Sequence, residues 1–143
     1  MNTVWPTASF SDFITLRKQF ITIQDNKSYE RVTVQLYARG IIKRDVVLGS
    51  SIKTKKQQVI KAYDLLIAEI DAKVGGFGIV PPELDGAIVS SHYFTYEVNT
   101  NIIDLDYLAY YLQSGRPLED TQQYVKGMVA HFVKILLANS ADM

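Results

Sequence analysis

The sequence predicts one α+β domain, and three stretches predict it. Arg31 to Tyr37 (RVTVQLY) alternates apolar and polar residues and is followed, across Ala38-Arg39-Gly40, by the β-branched run Ile41 to Leu48. Gly75 to Ser91 (GGFGIVPPELDGAIVSS) sets two short apolar runs, Phe77 to Val80 and Ala87 to Val89, around a turn with two prolines, two acids and a glycine. Leu105, Leu108 and Leu112 recur at helical spacing behind Asp104, a good N-cap residue. A chain of 143 residues with 48% hydrophobic content is long enough for a single core that buries roughly two-thirds of its surface.

Taken in order, Trp5 to Phe20 is mixed, with Phe10, Phe13, Ile14 and Leu16 able to seed a strand or one helical turn. Ile21 to Tyr29 carries a turn at Asp25-Asn26. In the alternating stretch Val32, Val34 and Leu36 form the core face, while Arg31, Thr33, Gln35 and Tyr37 form a row of hydrogen-bonding side chains. Gly49 to Gln58 is the most basic stretch; if it is extended, Lys53, Lys55 and Gln57 share a face. From Val59 to Val74 the apolar residues fall at helical spacing, although Leu65 to Ile70 reads equally as a buried strand. In the central stretch Pro81-Pro82 ends the first run, Asp85-Gly86 suits a turn with positive φ, and Gly75, Gly76 and Gly78 permit a bend or close backbone approach. Tyr93 to Val98 is aromatic and β-branched, a strand. Ser114-Gly115 and Pro117 stop the helix that begins at Asp104, and Val125 to Leu137 again shows helical spacing. No repeat, linker or low-complexity segment marks a domain boundary, so residues 1–143 are expected to form one unit.

Composition narrows the function classes. There is no cysteine, hence no disulfide and no thiolate metal site, which fits a reducing cytoplasm. The start, MNTVWPTASFSD, shows no secretory signal, and no apolar segment is long enough to span a bilayer. Fifteen basic residues balance fifteen acidic ones. That weighs against a non-specific nucleic-acid binder, yet leaves room for a basic face on a neutral body. Arg39, Lys43, Arg44, Lys53, Lys55, Lys56 and Lys61 cluster within a short span, and Gln35, Gln57, Gln58 and Arg39 bring the donor and acceptor groups that base edges require.

Other chemistry has weaker support. His92 and His131 stand far apart without an HExxH pattern, so no metal is expected. Dinucleotide, P-loop and GxSxG motifs are absent. Pro81-Pro82 is not preceded by Asn or Asp, unlike the motif of amino-methyltransferases. Asp64, Glu69, Asp71 and Lys73 offer a metal-dependent nuclease reading, in which carboxylates converge on metal ions and the lysine helps orient water. The plainer reading is a solvated charged face.

Four segments then carry a resemblance: residues 30–46 (ERVTVQLYARGIIKRDV), 52–57 (IKTKKQ), 70–99 (IDAKVGGFGIVPPELDGAIVSSHYFTYEVN) and 105–117 (LDYLAYYLQSGRP). In this order they resemble a target recognition domain of the specificity subunit of type I restriction-modification systems. GIVPPELDGAIVS is the most specific part. The resemblance implies a mixed α/β globule on a twisted, curved sheet, and strand and loop rather than helix over residues 59–74. The sequence departs from the family pattern at Tyr63, where a glycine is expected, at Ala68 for a serine, and at Glu69 for a basic residue. The family's subunits hold two recognition domains separated by long helices; this chain holds one, which implies an isolated half, a degraded copy or an orphan domain.

The resemblance further implies a non-catalytic, cofactor-free reader of double-stranded DNA that works with methyltransferase (modification) and restriction subunits. On residue type and location, Arg39, Lys43, Arg44, Lys53, Lys55 and Lys56 would hold phosphates, and Gln35, Gln57, Ser91, His92 and Tyr93 would meet base edges. The competing expectation is a protein-interaction module, its apolar tail Val125 to Leu137 packed on a partner or on a second copy in a homodimer.

Overall fold

The computed structural model describes residues 13–113. Among them nine strands and one α-helix form an α+β arrangement with two sheets. The first sheet is antiparallel, in the order β1 (Ile14–Arg17), β9 (Tyr93–Val98), β6 (Leu65–Ala68), β7 (Phe77–Ile79). The second is mixed: β2 (Phe20–Thr22), β5 (Lys56–Val59), β8 (Ile88–Val89), β3 (Ser28–Gln35), β4 (Gly40–Leu48), with β8 and β3 parallel. Helix α1 (Leu105–Gln113) caps the first sheet.

Strand β6 joins the two layers. Its four side chains, Leu65, Leu66, Ile67 and Ala68, are all buried. Leu65 and Ile67 enter one core with Phe77, Tyr96, Leu108 and Leu112, and Leu66 and Ala68 enter a second with Val32, Val34, Ile41 and Val80. A strand covered on both faces has no period-2 signal, which is why its neighbourhood mimics a helix. The mimicry fails at its own apolar face: Ile70 is 74% and Tyr63 49% exposed. The strand-and-loop expectation for residues 59–74 is what the chain adopts.

The two apolar runs of the central stretch are largely buried, but they do not pair with each other. Strand β7 belongs to the first sheet and β8 to the second, so the Pro81-Pro82 segment is a crossover between layers. Pro82–Leu84 is one 3-10 turn that drops Leu84 into the second core, and Gly86 then takes φ +88. Gly75, at φ +84, lies against the tip of the β3–β4 hairpin: a Cβ there would stand 2.5 Å from the Ala38 nitrogen. The close contact is used, because the Tyr37 and Ala38 amides donate to the Val74 and Gly75 carbonyls at 2.7 and 2.9 Å.

Helix α1 starts where its cap predicts. Asp104 Oδ1 accepts from the Tyr107 amide at 3.1 Å, Asp106 sits in the first turn, and Leu108 and Leu112 face the core. Its stop at Ser114-Gly115 and Pro117, and the Val125 to Leu137 tail, lie outside the described residues. Among those described, no helix is long and apolar enough to cross a membrane.

Candidate functional site

The β3–β4 hairpin is long and regular except at one point. Arg31 pairs with Asp45 and Val32 with Lys43, so Arg44 is an extra residue, a β-bulge. The bulge separates two neighbouring cations. Register puts Lys43 on the face of Val32 and Val34, at the rim of the second core, while the bulged Arg44 lies 3.9 Å from Asp45 and lines a depression with Arg31, on the opposite face, which also carries Thr33 and Gln35. That outer face holds Arg31, Thr33 and Gln35 of the row expected from the alternation; β3 ends at Gln35, so Tyr37, and Leu36 expected in the core, lie in the turn and are exposed.

A depression of about 230 Å³ opens on the outer face and is lined by Arg31, Arg44, Ile52, Gln57, Ser90 and Tyr93, among others. Its wall is the Ser90–Tyr93 turn. Gln58, 2% exposed, holds that turn: its Nε2 donates to the Ser90 and Tyr93 carbonyls, each at 2.8 Å. Ser90 Oγ also accepts from the His92 amide at 3.2 Å. Ser91 and His92 therefore project from a pinned turn, with His92 Nδ1 3.3 Å from Glu69 Oε1. Beside the depression a small apolar cluster of Ile23, Ile52 and Ile88 covers the sheet, and Ile52 and Ile88 also line the depression itself.

Arg31 is the best-organised polar group here. Its Nε and Nη2 donate to the two carboxylate oxygens of Asp45 at 2.8 and 2.7 Å. This fork pulls the Asp45 carboxyl below its ordinary pKa and holds the guanidinium charged. Sequence reading placed Arg31 in the polar row without assigning it a role. The Arg31–Asp45 pairing was readable in outline, as opposite charges facing across a hairpin, but the bulge that aligns them was not.

The expected phosphate-holding cations divide. Lys43 lies 3.6 Å from Glu30, Arg44 3.9 Å from Asp45, and Lys55 2.9 Å from Asp25, with Lys55 also donating to the Gly49 carbonyl. A second hollow, about 360 Å³, holds Lys43 between Glu30 and Glu83, a poor setting for an anion. Arg39, Lys53 and Lys56 meet no carboxylate among the described residues; Arg39 leans on Tyr37 and Lys56 on the Phe20 ring. Of the expected base-edge residues, Gln57 and Tyr93 reach the depression, Ser91 and His92 border it, and Gln35 lies along the same face. Gln57 is 8% exposed and its Nε2 donates to the Thr54 carbonyl at 2.8 Å, so much of its capacity serves the loop.

The nuclease constellation does not assemble. Asp64 is 2% exposed; its Oδ1 accepts from Arg17 Nη2 at 2.8 Å and its Oδ2 from the Lys61 amide at 3.0 Å. Burial pushes its carboxyl above the ordinary value despite both donors. Glu69 lies instead beside His92, and among the described residues no three metal-ligating side chains cluster.

No protein-family model matches the chain, and none of the curated proteins matches it. Its coordinates match the HsdS subunit from Thermoanaerobacter tengcongensis with a TM-score of 0.64 at 16% identity, over 85% of this chain and 33% of that one. The fold resembles one part of an HsdS subunit. This chain spans about a third of that subunit's length, and the α+β arrangement of two sheets and one helix is the shared feature.

The backbone of this chain bears on one of the departures noted in the sequence. Tyr63, where the resemblance leads one to expect glycine, holds φ +70, the left-handed conformation that glycine favours. The amide of Tyr63 donates to the Val80 carbonyl at 2.7 Å and the Val80 amide to the Asp64 carbonyl at 2.8 Å, so two flanking bonds fix the strained residue.

Proposed function

We propose that this chain is a non-catalytic DNA-recognition domain of the kind carried by type I restriction-modification specificity subunits, HsdS. The observation that carries the reading is the backbone likeness to an HsdS subunit, together with the order of sequence segments that resembles a target recognition domain. In this reading residues 1–143 form one recognition unit, cytoplasmic and cofactor-free. Its partners are double-stranded DNA and the modification and restriction subunits that methylate adenine and cut. The outer face of the five-stranded sheet meets the duplex. Gln35, Gln57, Ser91, His92 and Tyr93 lie toward base edges. Arg39 and Lys53 are the cations free to replace counterions, with Arg44 held only loosely; Lys56 shares the opposite face of its strand with Phe20, and Lys43 and Lys55 serve their carboxylate neighbours first.

Electrophoretic titration of the full chain on a random-sequence duplex pool tests the reading. With about three phosphates neutralised, affinity falls roughly forty-fold between 50 and 200 mM salt. A response flat with salt, or no binding at 50 mM, rejects it.

A second reading, a protein-interaction module, is favoured by one feature. Ile42, Val46 and Leu48 are each about half exposed on β4, an outer strand among those described. Sedimentation equilibrium separates the two: concentration-dependent association without DNA binding supports the module.

A further inference from the structure

Within the DNA-recognition reading, we infer that Arg31 reads a guanine from the major groove and that Asp45 is the positioning residue that aims it. Two of the five guanidinium N–H groups are spent on Asp45, through Nε and Nη2. The three that remain include one on Nη2 and two on Nη1, and an end-on pair of these is the donor fork that matches two adjacent acceptors. Guanine offers such a pair, O6 and N7, on its major-groove edge, and the other bases do not. Among the described residues no other acceptor occupies Arg31, whose side chain is 30% exposed and lines the depression.

The charge balance separates base reading from phosphate holding. Asp45 neutralises Arg31 at hydrogen-bond distance, and Arg44 lies 3.9 Å from the same carboxylate. A guanidinium compensated in this way displaces few counterions, so it adds little to the salt-dependent part of binding. What it keeps is direction. The side-on fork fixes the rotamer before DNA arrives, so less side-chain entropy is lost on contact. The element that carries it also fits. A two-stranded antiparallel ribbon enters the major groove, and β3–β4 is such a ribbon at one margin of the sheet. Its rise of about 3.4 Å per residue matches the base-pair step along each DNA strand. Thr33 and Ile42, directly opposed on the same face, supply methyl groups beside the arginine.

The test begins with selection of preferred sites from a random duplex pool by the full-length chain, followed by affinity measurements on the selected duplex. Replacing one selected guanine by 7-deazaguanine removes N7 and leaves base pairing intact. For the unmutated chain one such replacement weakens binding about five-fold or more; for Arg31→Lys the same replacement has no effect. Arg31→Lys itself weakens the selected duplex roughly five- to a hundred-fold while the salt slope stays unchanged. Asp45→Asn lowers the ratio of selected to unselected affinity and raises affinity for the unselected pool, an opposite pair of changes that a loss of folding would not produce. Equal loss on all sequences with a shallower slope would make Arg31 a phosphate contact and overturn the inference. If Arg31→Lys does not fold, the 7-deazaguanine series on the unmutated chain decides, and insensitivity at every guanine overturns it. Failure of the unmutated chain to bind any duplex removes the recognition reading itself, a distinct result.

Discussion

Two arginine–aspartate pairs of nearly equal length do opposite work in this molecule. Arg17–Asp64 ties strand β1 to the turn before β6, with Asp64 2% exposed and its carboxyl pushed up by burial. Arg31–Asp45 spans the outer face of the hairpin, with Asp45 open to water and its carboxyl pulled down by the fork. The first is a linkage the fold depends on: taking Arg17 away strands the buried Asp64 charge in low dielectric, whereas Arg17 also lies 3.8 Å from Glu97. The second can be dismantled at little cost to stability, because water replaces whichever partner leaves. The difference teaches where binding can be located. A face whose polar groups are unnecessary for folding is free to be used on a ligand.

The sharpest way to break this comparison is at β6. Ile67→Ala should cost about 2–5 kcal/mol, because Ile67 is fully buried between helix α1 and the sheet. Ile42→Ala, half exposed on the outer face, should shift stability by less than about 0.5 kcal/mol. Urea denaturation of both variants gives the two numbers, and comparable losses would mean the outer face is covered. Next in size, Arg17→Leu should cost about 3 kcal/mol at neutral pH and less in acid, where Asp64 escapes by taking a proton. Asp45→Asn should leave the thermal midpoint nearly unmoved.

Tyr63→Gly should stabilise the chain by about 1 kcal/mol, since glycine carries no penalty at φ +70. A loss on that substitution would show that the half-exposed ring contributes more than its backbone strain removes.

The smallest expected effects are in pH dependence, and their signs oppose. Asp64 has a raised folded pKa, so its share of stability is full below the unfolded value and is lost as pH rises through the raised one. Asp45 has a lowered folded pKa, so its share is present above the unfolded value and is lost as pH falls through the lowered one. Denaturation midpoints across the acid range should therefore change in opposite senses for Asp64→Asn and Asp45→Asn relative to the parent. Changes in the same sense would contradict the contrast.

How much of this was legible from residues follows the same division. The hairpin was readable because one of its faces is wet: Val32 and Val34 alternate with Arg31, Thr33 and Gln35, and the boundaries at Gly40 and Leu48 follow. Helix α1 was readable from Asp104 and the leucine stripe. Strand β6 was readable only as one of two alternatives: burial on both faces erases alternation, Leu65 to Ile70 fits a buried strand as well as a helix, and the family resemblance decided for strand and loop over residues 59–74. The crossover at Pro81-Pro82 looks locally like a turn between two short apolar runs; nothing local says that its flanking strands join different sheets. At the candidate site, residue type found the cations but not their partners. Which lysine lies beside which acid depends on a one-residue bulge at Arg44 and on loops brought together from distant positions, such as Asp25 with Lys55.

Hydrogen–deuterium exchange of the full chain, with and without a saturating random-sequence duplex at low salt, tests the central claim most directly. The account predicts added protection over residues 31–35, 42–45 and 90–93, with residues 65–68 and 105–113 unchanged. Protection confined to the helix and the first sheet, or none anywhere along the chain, would contradict it.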